Sequence, residues 1–97
     1  MHQPRTNKLR LVLADDHTMM RSGLRLLLER EPDFSVVGEA SDGRQAIEIL
    51  ETQSVDVVVM DVAMPNLNGI EAARRITDVH PNTVIIILSI HSDESYV

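Results

Sequence analysis

One stretch decides the fold: Leu9-Arg10-Leu11-Val12-Leu13-Ala14, followed at once by Asp15 and Asp16. A second apolar run, Val55-Asp56-Val57-Val58-Val59-Met60, is followed in the same way by Asp61. Short aliphatic runs of this kind are typical of strands that are buried on both faces of a parallel sheet. If the two strands are parallel neighbours, all three carboxylates lie at one edge of the sheet.

Three carboxylates at one edge predict a site for a cation. Like charges held this close are unfavourable unless a positive charge is bound between them. Hard oxygen ligands favour Mg²⁺ over softer metals. A carboxylate beside bound Mg²⁺ is also a plausible acceptor of a phosphoryl group.

Composition limits the class of protein. The chain has 97 residues, 43% of them hydrophobic, with no cysteine, one Phe and one Tyr, so we expect one small domain with an aliphatic core and no disulfide. The net charge of −6 argues against nucleic-acid binding by this domain itself. No apolar run is long enough to span a bilayer. Residues 1–8 are polar and predict a flexible lead-in, and we expect a cytoplasmic protein.

The remaining pattern alternates helices with strands. Apolar residues at helical spacing predict the inner face of a first helix at Met20, Leu24, Leu27 and Leu28. Residues 34–40 and 83–88 predict the second and fourth strands. Capping pairs predict two more helices, Asp42 with Gln45 and Asn68 with Glu71. Their expected buried positions are Ala46, Ile49 and Leu50 in one helix and Ile70, Ala73 and Ile76 in the other.

This order predicts an α/β fold, a doubly wound parallel sheet with helices on both faces. Ligands of such sheets bind beyond the carboxyl ends of the strands, where the strand order reverses. The acids 15, 16 and 61 are expected at that place. Asp56 is predicted as a solvated residue at the entry to the third strand. No metal-ligand spacing connects His17, His80 and His91, which predicts surface positions or neighbours of the ligands.

Several motifs then carry a resemblance to a known family. They are Leu-Ala-Asp15-Asp16-His17, Arg21-Ser22-Gly23-Leu24, Val37-Gly38-Glu39-Ala40, Asp42-Gly43, Met60-Asp61-Val62-Ala63-Met64-Pro65, Asn68-Gly69 and Leu88-Ser89. From residue 9 onward the chain resembles the receiver domain of bacterial two-component response regulators, and the first three motifs resemble its NarL/FixJ branch with LuxR-type output. The resemblance implies a flavodoxin-like sheet with strand order 2-1-3-4-5.

The resemblance also implies roles for single residues. Asp61 is the expected phosphoacceptor for a sensor histidine kinase. Asp15 and Asp16 match the acidic pair that holds Mg²⁺ together with Asp61, and the backbone carbonyl of Ala63 is a further expected ligand. Ser89 matches the hydroxyl that bonds the phosphoryl group and reports the change. Such a domain is a signalling switch and not an ordinary enzyme, because it catalyses only its own phosphorylation.

Two departures from the family shape the remaining expectations. Receivers carry a lysine at the end of a fifth strand, whereas this chain has one lysine, Lys8, before the first strand. We therefore expect residues 9–97 to form a receiver that is incomplete at its C-terminus, without the fifth strand and helix and without the helix-turn-helix output domain that controls transcription. A fourth strand left at the edge predicts a homodimer or a segment swap through residues 84–88.

A simpler interpretation stays open for each acid. An aspartate after a strand is often only a helix cap or a turn residue, although three of them among matching motifs make that interpretation weak. A second hypothesis concerns the whole domain: an interaction module that binds a partner protein without phosphorylation. The three acids favour the switch, whereas the missing lysine and fifth strand favour the module.

Overall fold

Strands and helices alternate in the computed structural model, which describes residues 8–88. Each predicted element within that range is present, with bounds shifted by a few residues at most. The elements are β1 (Leu9–Ala14), α1 (Thr18–Glu29), β2 (Phe34–Ala40), α2 (Gly43–Thr52), β3 (Val57–Asp61), α3 (Gly69–Val79) and β4 (Val84–Leu88). Residues 1–7 of the predicted lead-in 1–8 and Ser89 lie outside the described residues.

The sheet confirms the predicted doubly wound architecture. Its four strands run parallel in the order β2-β1-β3-β4. Strand β2 is added on one side of β1, and β3 and β4 are added on the other side, so the strand order reverses between β1 and β3. Ala14 pairs with Ala40 on one side and with Met60 on the other. This register brings the residues that follow Ala14 beside Asp61, the last residue of β3. The switch point of the sheet therefore coincides with the predicted acids.

The face covered by α2 and α3 holds the larger core. Asp42 and Asn68 cap these helices as predicted, because their side chains accept hydrogen bonds from the N–H groups of Gln45 and Glu71. The cap fixes where each helix begins, and so which side of it meets the sheet. The buried residues of this face are Val12, Ala14, Ala40, Ala46, Leu50, Val55, Val58, Met60, Met64, Ala72 and Ile76.

One predicted position on α3 is wrong. Ile70 was expected on the inner face, but it is 51% exposed. The residues that meet the sheet are Gly69, Ala72 and Ile76, with Ala73 packed at the margin. Small residues at 69 and 72 let the helix backbone approach the sheet closely, whereas the apolar pattern alone gave more weight to the larger Ile70.

The face covered by α1 is thinner. Its buried core consists of Leu11, Leu13 and Val36, and the helix contributes Leu24 and Leu28 to it as partly buried neighbours. The other two positions predicted for the inner face are wrong, because Met20 is 38% and Leu27 60% exposed. No residue of α1 is fully buried.

Asp56 stands at the entry to β3, as predicted, but it is half-buried rather than freely solvated. It precedes β3, and its carboxylate accepts a hydrogen bond of 2.8 Å from the backbone N–H of Arg10. The backbone of Asp56 bonds Arg10 and Val84 as well, so this residue joins the starts of β1, β3 and β4. Between residues 8 and 88, no helix has the length and apolarity to cross a membrane.

Candidate metal centre

The three predicted acids meet at the carboxyl edge of the sheet. Asp15 and Asp16 follow β1 and Asp61 ends β3, and with His17 they each place one ligand atom within 4.8 Å of the others. The side chain of Asp15 is 8% exposed, that of Asp61 15%, and that of Asp16 33%. Among the three acids of this shallow cluster, Asp15 is the deepest and Asp16 the nearest to solvent.

His17 is a member of the cluster that the sequence analysis placed only at the surface or near the ligands. Its Nδ1 lies 2.9 Å from Oδ1 of Asp15, 3.2 Å from Oδ1 of Asp16 and 3.9 Å from Oδ2 of Asp61. The hydrogen bond to Asp15 and the charges of Asp16 and Asp15 raise the pKa of His17. The sequence signal was adjacency to the acidic pair, which a search for metal-ligand spacing does not detect.

The donor set fits Mg²⁺. Oxygens on opposite sides of one octahedral Mg²⁺ lie about 4.2 Å apart, since each Mg–O bond is about 2.1 Å. The carboxylates of Asp15, Asp16 and Asp61 are close to that separation already, within 4.8 Å. Three negative charges offset the charge of a divalent cation, and a partly exposed pocket leaves room for the waters that Mg²⁺ retains.

The β3–α3 loop is fastened at both ends. Gly69 N–H donates to the carbonyl oxygen of Val62 at 2.9 Å, and Gly43 N–H donates to that of Leu67 at 3.0 Å. Both contacts need glycine, because a Cβ at position 69 would lie 2.2 Å from the carbonyl oxygen of Asp61 and one at position 43 would lie 2.5 Å from that of Leu67. The loop that follows Asp61 is therefore held close to the start of α2.

A side-chain pair completes this fastening. Asn66 has a positive φ of 66°, which asparagine tolerates better than most residues. Its Nδ2 donates to Oδ2 of Asp42 at 2.7 Å, while Oδ1 of Asp42 accepts from the N–H of Gln45 at 2.9 Å. The bond from Gln45 N–H and the bond from Asn66 lower the pKa of Asp42. Asp42 thus caps α2 and anchors the loop with the same carboxylate.

Two predicted site residues have no role established by the geometry. Ala63 is exposed, and its N–H lies 3.4 Å from Oδ1 of Asp61, a long and weak contact. The ligand role of its carbonyl stays a prediction. Ser89 lies just past β4, outside the described residues, so its role as a switch hydroxyl also stays a prediction.

Charged side chains of α1 and β2 hold the β1–α1 loop in place through hydrogen bonds. Arg21 donates through Nη1 to the backbone carbonyl of Asp15 and through Nε to Oε1 of Glu39, at 2.8 Å. Arg25 donates to the other oxygen of Glu39. Arg25 and then Arg21 lower the pKa of Glu39, so this carboxylate stays ionised. In the sequence, Arg21 and Glu39 stand out only as parts of motifs, and no local pattern predicts their contact.

Comparison with known proteins agrees with this geometry. A family model described as the response regulator receiver domain matches residues 11–97. The chain is 43% identical over 95 residues to the transcriptional regulatory protein DegU of Brevibacillus brevis, an alignment that covers 98% of this chain and 40% of DegU. The chain thus spans about 40% of the length of this curated relative, and the same holds for the response regulator UvrY of Escherichia coli, at 39%.

Solved structures show the same fold. A two-component response regulator of the LuxR family from Aurantimonas sp. SI85-9A1 superposes with a TM-score of 0.82 at 37% identity, covering 93% of this chain and 64% of that one. The RcsB response regulator of Salmonella typhimurium, studied for its interaction with DNA, superposes with a TM-score of 0.81 at 30% identity, covering 89% and 44%. The flavodoxin-like architecture and the likeness to NarL/LuxR-type regulators are thereby confirmed.

Proposed function

We propose, from the premise that this chain belongs to the response regulator receiver domain family, that it is a switch phosphorylated on Asp61 by a sensor histidine kinase in the presence of Mg²⁺. The observation that carries the proposal is the meeting of Asp15, Asp16 and Asp61 within 4.8 Å at the switch point of the sheet. Receiver domains are signalling modules of two-component systems, and an acidic pocket of this kind is what their phosphoryl transfer requires.

Each residue of the site has a separate role in the proposed phosphoryl transfer. Asp15 and Asp16 would hold the cation together with Asp61, and the carbonyl of Ala63 would add a ligand. Bound Mg²⁺ supplies neutralisation of the negative charge that the phosphoryl oxygens bring into the acidic pocket. A carboxylate oxygen of Asp61 attacks phosphorus, the bond from phosphorus to the kinase histidine breaks, and the released imidazole takes up a proton. Ser89 then donates a hydrogen bond to the phosphoryl group and biases the conformation after β4.

The output of the switch is transcription. The relatives include a transcriptional regulatory protein and a response regulator that interacts with DNA, and this chain covers less than half of either. We infer that the receiver controls a helix-turn-helix DNA-binding domain and does not bind DNA itself, in keeping with its net charge of −6. Action on bacterial DNA places the protein in the cytoplasm.

The edge of the described sheet offers a surface for self-association. Val84 is 56% and Ile86 46% exposed on β4, while Ile85 and Ile87 pack against the core. Open strands with apolar side chains pair readily with other strands. We infer a homodimer or a segment swap through β4, and light scattering that finds only monomer at high concentration would contradict it.

The decisive experiment is intact mass spectrometry after incubation with acetyl phosphate and Mg²⁺. We expect one phosphoryl adduct on the wild type, none on Asp61→Asn, and none when the metal is removed with a chelator. Asp78→Asn is the matched control, because Asp78 is an exposed aspartate on α3, and it should keep the adduct. A folded wild type that takes up no phosphoryl group would overturn the switch and favour a phosphorylation-independent interaction module.

A further inference from the structure

We propose that Arg21 is a positioning residue for the cation site, held by Glu39 and acting through the backbone carbonyl of Asp15. The inference rests on the proposed function, because it concerns how this chain prepares its acidic pair for Mg²⁺. Arg21 and Glu39 stand in two of the motifs that carry the family resemblance, and Arg21 bonds the backbone of Asp15 and not the carboxylates of the cluster. Their contacts give both motifs a common role.

The contacts connect three elements. Arg21 lies one turn into α1 and reaches back to the carbonyl oxygen of Asp15 with Nη1, while its Nε donates to Glu39 on β2 at 2.8 Å. The side chain of Arg21 is 16% exposed and that of Glu39 26%. Charge-assisted hydrogen bonds are stronger than neutral ones, and the lower dielectric of a partly buried position strengthens them further. The guanidinium fork is therefore fixed at both of its acceptors.

The consequence is a restrained peptide at the acidic pair. The N–H of Asp15 donates to the carbonyl of Ala40 at 3.0 Å, and its own carbonyl accepts from Arg21. Ala40 and Glu39 are adjacent in β2, so one strand fixes both ends of this residue, directly and through Arg21. The peptide between Asp15 and Asp16 then has one orientation, which sets the direction of both carboxylates before a cation arrives.

A purely electrostatic role for Arg21 predicts the opposite change in Mg²⁺ affinity from a positioning role. A guanidinium close to the pocket repels a divalent cation, so removing only its charge would tighten Mg²⁺ binding. Loss of positioning weakens binding, because three carboxylates that are free to move apart must be gathered again against their mutual repulsion. The sign of the change in affinity therefore separates a positioning role from a purely electrostatic one.

Arg25 provides a matched control within the same network. It donates to Glu39 and to Glu29 at 3.0 Å on the exposed side of α1. Its hydrogen bonds go to these two carboxylates and none goes to the loop that bears the cluster. Arg21→Met and Arg25→Met remove the same charge and keep similar stems, and only the first breaks the bond to Asp15.

The test is a Mg²⁺ titration of the ¹⁵N-labelled chain, followed by NMR at the amides of residues 15–17. Loss of a group that orients a metal ligand typically weakens metal binding about tenfold or more, so we expect Arg21→Met to raise the Kd for Mg²⁺ about tenfold. Arg25→Met should change it less than about twofold, since surface pairs contribute little. The Mg²⁺ concentration that half-saturates phosphorylation by acetyl phosphate should rise in parallel, with the rate at saturation retained.

Several outcomes overturn the proposal. An unchanged or tighter Kd in folded Arg21→Met does so, and so does an equal weakening in Arg25→Met. If circular dichroism shows Arg21→Met to be unfolded, Arg21→Lys decides: its ammonium reaches one of the two acceptors at a time, and we expect a rise of about threefold, against no rise if the proposal is wrong. A wild type that binds no Mg²⁺ overturns the proposed function itself, and this inference with it.

Discussion

The two faces of the sheet are built by different means. On the α2–α3 face, fully buried side chains such as Met60 and Ile76 fill the space between the helices and the sheet. On the α1 face no helix residue is fully buried, and Arg21 and Arg25 join the helix to Glu39 on β2. The comparison indicates that apolar packing is more extensive on the α2–α3 face, while the α1 face combines a thinner apolar core with charged contacts between α1 and β2.

The largest expected loss of stability comes from truncating a buried side chain of the α2–α3 face, and it tests the difference between the two faces. Ile76 on α3 is 1% exposed and Leu27 on α1 is 60% exposed, so truncation to alanine should affect them very differently. Ile76→Ala leaves a cavity and should lower the free energy of unfolding by about 3 to 4 kcal/mol. Leu27→Ala should change it by less than about 0.5 kcal/mol. Urea denaturation followed by circular dichroism measures both, and similar losses would show that α1 is covered in solution and would break the comparison.

Replacement of Gly69 and of Gly23 by alanine should change the stability of the fold in opposite directions. A Cβ at position 69 would lie 2.2 Å from the carbonyl oxygen of Asp61, whereas one at position 23 would meet nothing within 4 Å. Gly69→Ala should therefore cost about 2 to 3 kcal/mol through backbone displacement. Gly23→Ala in the middle of α1 should gain about 0.5 to 1 kcal/mol, because alanine favours the helix. Midpoints of thermal unfolding that move in the same direction would contradict this pair.

The cap of α2 predicts a dependence on pH. The pKa of Asp42 is lowered in the folded protein from its ordinary value of 3.8 by the bonds from Gln45 N–H and Asn66. A lowered folded pKa contributes stability that is complete above the unfolded pKa and is lost as pH falls from there through the folded value. As pH falls from 5 through the ordinary pKa of 3.8, the wild type should therefore lose more stability than Asp42→Asn, in which an amide keeps the cap without titrating.

The difference between the wild type and Asp42→Asn removes the contribution of other titrating groups. Glu39 also has a lowered pKa, and it titrates in both proteins, so its contribution cancels in the difference. Urea midpoints at four or five pH values give the two curves. Parallel curves would mean that the carboxylate of Asp42 adds nothing beyond what a neutral amide supplies.

The sequence predicted the elements and the place of the site because both depend on unambiguous patterns. Residues 9–14, apart from Arg10, and residues 84–88 are apolar runs typical of strands in a parallel sheet. The acids after β1 and at the end of β3 meet at the carboxyl edge of such a sheet. The caps at Asp42 and Asn68 were also predictable, since capping is a contact between residues three apart.

The missed features depend on contacts between distant residues. Helical spacing gave Met20 and Leu27 the same weight as Leu24 and Leu28, because it cannot tell how much of an apolar stripe the sheet covers. The carboxylate of Asp56 reaches Arg10, 46 positions away in the chain, and no local pattern signals such a bond.

Two ion pairs give the smallest expected effects and sharpen the comparison between the faces. Arg25 bonds Glu39 across elements and Glu29 within α1, whereas Arg75 lies 3.4 Å from Glu71 within α3 and is well exposed. Arg25→Ala should lower the free energy of unfolding by about 0.5 to 1 kcal/mol and Arg75→Ala by less than about 0.3 kcal/mol.

Salt separates these two contributions from packing. Raising NaCl to about 0.5 M shortens the Debye length to roughly 4 Å, so the cost of Arg25→Ala should shrink by about half, while that of Ile76→Ala should not change. Urea denaturation of the three variants at low and high salt gives the comparison. Because the α1 face is joined to β2 partly by charge, we expect its contribution to stability, and not that of the α2–α3 face, to depend on ionic strength; a salt-independent cost for Arg25→Ala would assign the docking of α1 to Leu24 and Leu28 alone.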